Sequence, residues 1–279
     1  MSPEATPGGG PVGLAVGVTF GPTGHWDEVV RATLLAEELG LDAVGFWDHY
    51  HSMRPEWALT CGWSAYGYLA AKTSRIRLTP MVICRPNYLL GVLAKESSIL
   101  QIASGGRFEL GIGAGDFEQE FTAWNVPYPD ATERILDLAE TVGALRRLWT
   151  GEQVTVKGEH VVLTEAACTP APPMPPRVVV GAGSSRRVIA SAVDYADEIN
   201  IYSRESVAAY AQEQITASGR EVALSVFADR PEGQIPADLP GELRRWRDLG
   251  ASRYLLTLGF ADDLEAGVRM LAAAREDAG

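Results

Sequence analysis

Residues Gly13 to His25 read GLAVGVTFGPTGH. The segment Gly13 to Phe20 is short, apolar and β-branched, and it stops at Gly21-Pro22, which punctuates it as a buried strand. Trp26 to Leu39 then places apolar groups at Val29, Val30, Ala32, Leu34, Leu35, Ala36 and Leu39, a wide helical stripe stopped by Gly40. The turn between strand and helix decides between two architectures. An open, doubly wound sheet sets a GxGxxG nucleotide fingerprint directly after its first strand, and Gly21-Pro22-Thr23-Gly24-His25 does not supply one. A closed barrel is favoured.

The same couplet recurs along the chain. Strands are expected at Asp42–Trp47, Arg75–Cys84, Arg107–Ile112, Arg177–Val180, Glu198–Ile201, Glu221–Ala228 and Arg253–Leu258. The helices between and after them are expected at Cys61–Lys72, Tyr88–Ala103, Ala131–Trp149, Ser185–Tyr195, Ser206–Ala217, Leu239–Leu249 and Asp262–Ala274. With the first pair this makes eight strand–helix units, and near-continuous apolar strands separated by helices imply a parallel sheet closed into an α/β (β/α)₈ TIM barrel. Glu152 to Thr164 breaks the rhythm as a β-hairpin turning near Lys157-Gly158, an insertion after the fourth helix that continues into a Pro-rich link from Pro170 to Pro176. Residues 1–12, with Gly8-Gly9-Gly10-Pro11, read as a disordered tail, and 13–279 as one barrel domain.

Composition excludes several classes of function. Acidic residues outnumber basic ones 36 to 24, the formal net charge is -12, and no basic run exceeds two residues, so nucleic acid is not an expected partner. No apolar stretch approaches the roughly 18 residues of a membrane span, and Met1 to Pro11 lacks the basic and apolar regions of a signal peptide. Cys61, Cys84 and Cys168 are too few and too widely spaced for a disulfide framework or a zinc site, which fits a reducing cytoplasm.

Barrel enzymes carry their reactive groups at the C-terminal ends of strands. After the second strand stands Trp47-Asp48-His49-Tyr50-His51, where His49 is the candidate general acid or base and Asp48 a group able to fix its tautomer. A metal site on His49 and His51 lacks a third ligand, and none is assigned. Gly113, Ala114 and Gly115 after the fourth strand either let a flat ring approach the backbone or permit a bend, and Asp116 follows them. After the fifth strand, Gly181, Ala182, Gly183, Ser184, Ser185 and Arg186 form either a phosphate cradle or a tight turn with a Ser cap. Phe20, Phe46, Trp47, Trp63 and Trp124 are candidates to wall a substrate space, with His51 as a further pocket residue.

These stretches resemble a known family. Ala36-Glu37-Glu38-Leu39-Gly40-Leu41-Asp42-Ala43 leading into Asp48-His49, Ala71 to Leu78, Leu93-Ala94-Lys95, Ser104 to Gly115, Glu120, Leu148-Trp149-Thr150-Gly151-Glu152 and Ala196 to Asn200 are similar to the luciferase-like monooxygenases, and within them to the F420-dependent oxidoreductase branch. The resemblance covers Gly13 to about Tyr202. It implies a homodimer transferring a hydride between coenzyme F420 and a small organic substrate. The alternatives are an FMN-dependent monooxygenase inserting one oxygen from O₂, and a flavin-binding barrel without catalysis. It also implies a bulge at the end of the third strand, with a cis peptide at Met81-Val82 against the cofactor ring, Thr79 beside it, His49 and Asp48 next to the reacting carbon, and Asp116 assisting proton transfer or holding substrate. Arg85, Arg186 and Arg187 would supply a positive rim for the anionic cofactor tail. The branch commonly carries Arg-His-Pro before Leu-Ala-Lys, where this chain has Tyr88-Leu89-Leu90, and Gly-Thr before the bulge, where it has Thr79-Pro80.

Overall fold

The computed structural model describes residues 13–23, 25–52, 54, 56–228, 230, 234–260 and 262–279; the expected tail at 1–12 lies outside them. The first half of the chain forms β1 (Ala15–Phe20), α1 (Trp26–Glu38), β2 (Ala43–Phe46), α2 (Trp63–Lys72), β3 (Arg77–Leu78), β4 (Ile83–Cys84), α3 (Leu90–Ala103), β5 (Glu109–Gly113), α4 (Glu118–Ala123) and α5 (Ala131–Leu148). A hairpin of β6 (Val154–Lys157) and β7 (Val162–Ala166) follows. Next come β8 (Arg177–Gly183), α6 (Arg186–Ala192), β9 (Glu198–Tyr202), α7 (Glu205–Ser218), β10 (Ala223–Ala228), α8 (Leu239–Asp248), β11 (Arg253–Leu258) and α9 (Leu264–Ala278).

The main sheet has nine strand segments in the order β3-β2-β1-β11-β10-β9-β8-β5-β4, and every pairing in it is parallel. β3 and β4 are two pieces of one strand line, and a bridge between Leu78 and Phe108 closes the ring, giving the expected (β/α)₈ barrel. The apolar runs that marked the strands are buried because helices cover them outside and side chains fill the interior; in β11 all six residues are buried. The hairpin lies apart as its own sheet, and Glu140 of α5 anchors its turn by accepting the N–H groups of Glu159, His160 and Val161 at 3.1, 3.0 and 2.8 Å.

Two features depart from the sequence expectation. The strand expected at Arg75–Cys84 is interrupted: Thr79 and Met81 still donate to Val44 and Phe46 of β2, each at 2.9 Å, after which the chain transfers to β5 through Ile83 opposite Ile112. Within the interruption the Met81-Val82 peptide is cis, as the family resemblance implies, so it is the periodic strand reading and not the expected bulge that the structure corrects. The second departure is α4, a short helix in the connection after β5 whose sequence shows too few turns to give a periodic signal.

Alternation along β5 explains how the interruption is accommodated. Glu109, Gly111 and Gly113 share the interior face, while Leu110 and Ile112 face the helices. A Cβ on Gly111 would lie 1.7 Å from the Pro80 carbonyl oxygen, and one on Gly45 of β2 would lie 2.1 Å from that of Thr79. The Thr79–Val82 backbone thus occupies interior volume that side chains fill elsewhere in the barrel.

The opposite end is closed by charge. Arg77, Glu109, Arg177, Glu198 and Arg253 each begin a strand, and they meet at the N-terminal end of the barrel. Buried Arg253 pairs with Glu109 at 2.5 Å and with Glu198 at 2.6 Å, while Arg77 reaches Glu109 at 3.0 Å and Arg177 reaches Glu198 at 2.9 Å. Burial alone would raise the Glu109 carboxyl, but Arg253, Arg77 and the Thr79 hydroxyl hold it down at about 2.

Gly111→Ala is expected to destabilise the protein by about 3 kcal/mol or more in equilibrium urea unfolding, because its methyl has only backbone to displace. Gly143→Ala is the control: it sits exposed in α5 with open space at its Cβ, and the better helix former should gain up to about 1 kcal/mol.

Candidate active site

At the C-terminal ends of the strands the barrel opens into a cavity of about 580 Å³. Its apolar shelf is the Met81-Val82 step. The Val82 side chain lies between two glycines, since a Cβ on Gly113 or Gly181 would come within 2.8 or 2.7 Å of its methyl groups. Ala114, Gly115 and Asp116 continue the lining after β5, and Ala182 and Gly183 at the end of β8 do so with Ser184 and Ser185 after it. Ser185 also caps α6, accepting the Val188 N–H at 3.3 Å, so this loop is both a cavity wall and a capped turn.

His49 lines the cavity, and its Nδ1 lies 2.9 Å from Oε2 of Glu120, a residue of α4 that is only 1% exposed. Asn87 donates to the other oxygen of Glu120 at 2.5 Å. Burial acts to raise the Glu120 carboxyl, but the bond and charge of His49, the Asn87 amide and the Tyr50 backbone N–H outweigh it and hold the group below the usual carboxylate range. An ionised carboxylate only accepts, so Nδ1 carries the proton and Nε2 is the nitrogen left to give or take one. The pairing fixes an imidazole in the lining of the cavity that Met81 and Val82 also line.

Asp48 stands elsewhere. Its carboxylate accepts the Tyr88 hydroxyl at 3.0 and 2.8 Å and the Cys84 N–H at 3.3 Å, which ties the end of β2 to the chain after β4. Burial raises it to about 6 against those hydrogen bonds. The group bonded to His49 is therefore Glu120, a residue that the family pattern contained without indicating a role.

Other expected residues lie away from the cavity. Thr79 is buried and donates to Glu109 at 2.7 Å, facing the charged end. Phe20 packs on Phe46 with ring centroids 5.9 Å apart on the strand face that α2 covers through Tyr66, and Trp63 packs on Tyr88 and Phe108 beneath α2. Trp124 is exposed, and His51 stacks on Phe117, whose other contact is the edge of the His49 ring. The expected positive rim is spent on structure: Arg85 binds Asp137, Thr141 and the Tyr88 carbonyl, Arg186 lies over Tyr210, and Arg187 donates to Thr132.

The lining includes residues that had no assigned role. Trp57, Tyr202 and Phe227 supply aromatic surface beside Trp47, which the sequence had marked for the substrate space, and Arg134 is the one Lys or Arg side chain among the described lining residues. Arg134 donates to the carbonyls of Gly115 and Pro129, and its guanidinium stacks 4.0 Å from the Tyr128 ring centroid. Tyr202 and Phe227 sit at the ends of β9 and β10, where the strand-end rule reaches when applied to the sixth and seventh strands. Arg134 comes from the first turn of a helix and Trp57 from a long connection, and neither position carries a local sequence signal.

Comparisons with known proteins agree with this fold. A family model described as luciferase-like monooxygenase matches residues 9–230. An F420-dependent glucose-6-phosphate dehydrogenase of Amycolatopsis mediterranei (strain U-32) is 31% identical over 170 residues, covering 59% of this chain and 49% of that protein. The chain spans about half the length of the curated relatives it matches. Among solved structures, an F420-dependent secondary alcohol dehydrogenase in complex with an F420-acetone adduct has a TM-score of 0.84 at 15% identity, covering 96% of this chain and all of the other. A monooxygenase from Streptomyces bottropensis has a TM-score of 0.78 at 18% identity, covering 94% and 98%. At such identities the structures share the fold.

Asp48 has a measurable consequence for stability. Its folded pKa of about 6 exceeds the ordinary aspartate value of 3.8, so its contribution is fully present below about pH 4 and is lost as pH rises through 6. Between pH 4 and 7.5, Asp48→Asn should gain about 2–3 kcal/mol relative to the wild type in urea unfolding, a double difference that cancels any constant effect of the substitution.

Proposed function

The chain belongs to the luciferase-like monooxygenase family, and from that premise we propose that it is an oxidoreductase that uses coenzyme F420 to exchange a hydride with a small organic substrate. The observation that carries this is the His49–Glu120 pair in the lining of a cavity whose shelf residue, Val82, lies between Gly113 and Gly181. The relatives named as F420-dependent support the choice of cofactor.

The residues fit a flat ring system. Gly113 and Gly181 flank Val82 without side chains of their own, and the cavity lies within the roughly 300–1,000 Å³ of pockets that enclose most of a cofactor-sized ligand. Met81, Val82, Gly113, Ala114 and Gly115 would hold the ring, and the Gly181–Ser185 loop and Arg134 would lie along the tail. When bound, the deazaflavin supplies a ring carbon that gives or accepts a hydride. His49 Nε2 takes the proton released from a substrate hydroxyl, or returns it to a carbonyl oxygen in the reverse direction. Glu120 orients the imidazole and stabilises its protonated form. Asp116, which lines the cavity, would hydrogen-bond the substrate, and Asp48 would act by holding the Cys84 end of the shelf.

His49→Gln is expected to lower kcat by about 10²–10⁴-fold with F420 affinity unchanged, as loss of a general acid–base requires. Glu120→Gln should cause a smaller loss and shift the pH profile of turnover. Full activity of His49→Gln, or stoichiometric oxygen uptake with reduced FMN, would overturn the proposal.

A further inference from the structure

The substrate side of the cavity has a composition of its own. Trp47 and Phe227 lie with ring centroids 6.4 Å apart, Trp47 and Trp57 at 6.3 Å, and Tyr202 and Phe227 at 6.0 Å. Phe227 packs in one apolar cluster with Met81, and Trp47, Tyr202 and Val82 border it, so this aromatic wall is continuous with the ring shelf. A substrate against the wall therefore lies beside the shelf.

The wall is braced from behind. Phe260 meets Trp47 and Trp57 edge-on at 5.5 and 5.2 Å. Phe260 has a φ of 54°, a conformation that bulky residues rarely hold unless their surroundings enforce it. The enforcement is visible: the Phe260 N–H donates to Pro22 at 2.9 Å, and Asp262 accepts the Gly259 N–H at 3.1 Å while pairing with buried Arg230 at 2.9 Å. On the other side, Ser52 donates to the Trp57 carbonyl at 2.6 Å and the Arg54 guanidinium lies 4.9 Å from the Trp57 ring centroid. Fixed edge-to-face aromatics of this kind present preorganised surface to a ring and little to a hydrated polyol.

Charge points the same way. Among the described lining residues Arg134 is the one Lys or Arg, and two of its donor groups and one face are already engaged by Gly115, Pro129 and Tyr128. A phosphorylated sugar would find no second Lys or Arg among these residues besides Arg134, which would already lie along the anionic cofactor tail.

We infer that this cavity takes an uncharged substrate with an apolar ring bearing one hydroxyl or carbonyl group, selected by Trp57 and Phe227. The inference rests on the oxidoreductase reading for the use of that group, and it sets the chain apart from relatives named for glucose 6-phosphate.

Ligand-observed NMR on the full chain, with and without F420, decides it, using acetophenone and glucose 6-phosphate as probes. Saturable acetophenone binding is expected, weakened about ten-fold in Trp57→Ala and in Phe227→Ala, a loss equal to about 1.4 kcal/mol. Trp57→Phe keeps a ring and should stay within about two-fold of wild type, which separates recognition from misfolding. Glucose 6-phosphate should neither bind nor compete. Competition by glucose 6-phosphate, absence of acetophenone binding, or unchanged affinity in both alanine variants would overturn the inference. Acetophenone binding as expected, but with no F420 affinity and no turnover, would sink the oxidoreductase reading and leave the ring site standing. F420 binding with turnover of glucose 6-phosphate would do the reverse.

Discussion

Between Leu78 and Ile83 the backbone leaves the barrel wall and enters the interior, closer to Gly45 and Gly111 than a residue with a Cβ permits. The same intrusion brings Val82 between Gly113 and Gly181, so the missing side chains on three strands and the interrupted one are a single device. It turns the mouth of the barrel from a packed core layer into a shelf. The cavity beside Met81 and Val82 and the transfer of pairing from β2 to β5 both depend on it.

The charged cluster at the other end complements that opening. Arg253, Glu109 and Glu198 are almost fully buried, and charges taken from water are tolerable only when each has close partners, as here. Because side chains from the first positions of five strands meet there, the N-terminal end is plugged and the strand starts are held in register. Thr79 joins the two systems: its hydroxyl binds Glu109 while its carbonyl lies against Gly45. The ion plug thus anchors the start of the segment that ends as the shelf.

How legible this was in the sequence depended on the range of each interaction. Strand and helix identities were readable because alternation and stripes are local, and the missing fingerprint after Phe20 was enough to separate a barrel from an open sheet. The glycines at 111, 113 and 181 were visible, but their purpose was not, since the atoms that need the space belong to Thr79–Val82 on another strand. The same limit applies to the partner of His49. Asp48 is adjacent in sequence, yet its side chain turns to Tyr88 and Cys84, and the bond to His49 comes from Glu120 on a helix too short to announce itself. Aromatic residues were the least legible class. Phe20 and Trp63 became core, whereas Trp57 and Phe227 reached the cavity, and only long-range packing distinguishes the two fates.

The claim on which the rest converges is that the shelf and its glycine-lined walls hold a deazaflavin ring. Equilibrium titration of the purified protein with oxidised F420 and, separately, with FMN, followed by absorbance and fluorescence, tests it most directly. Saturable F420 binding with negligible FMN binding is the predicted result; preferential binding of FMN, or binding of neither, would contradict it.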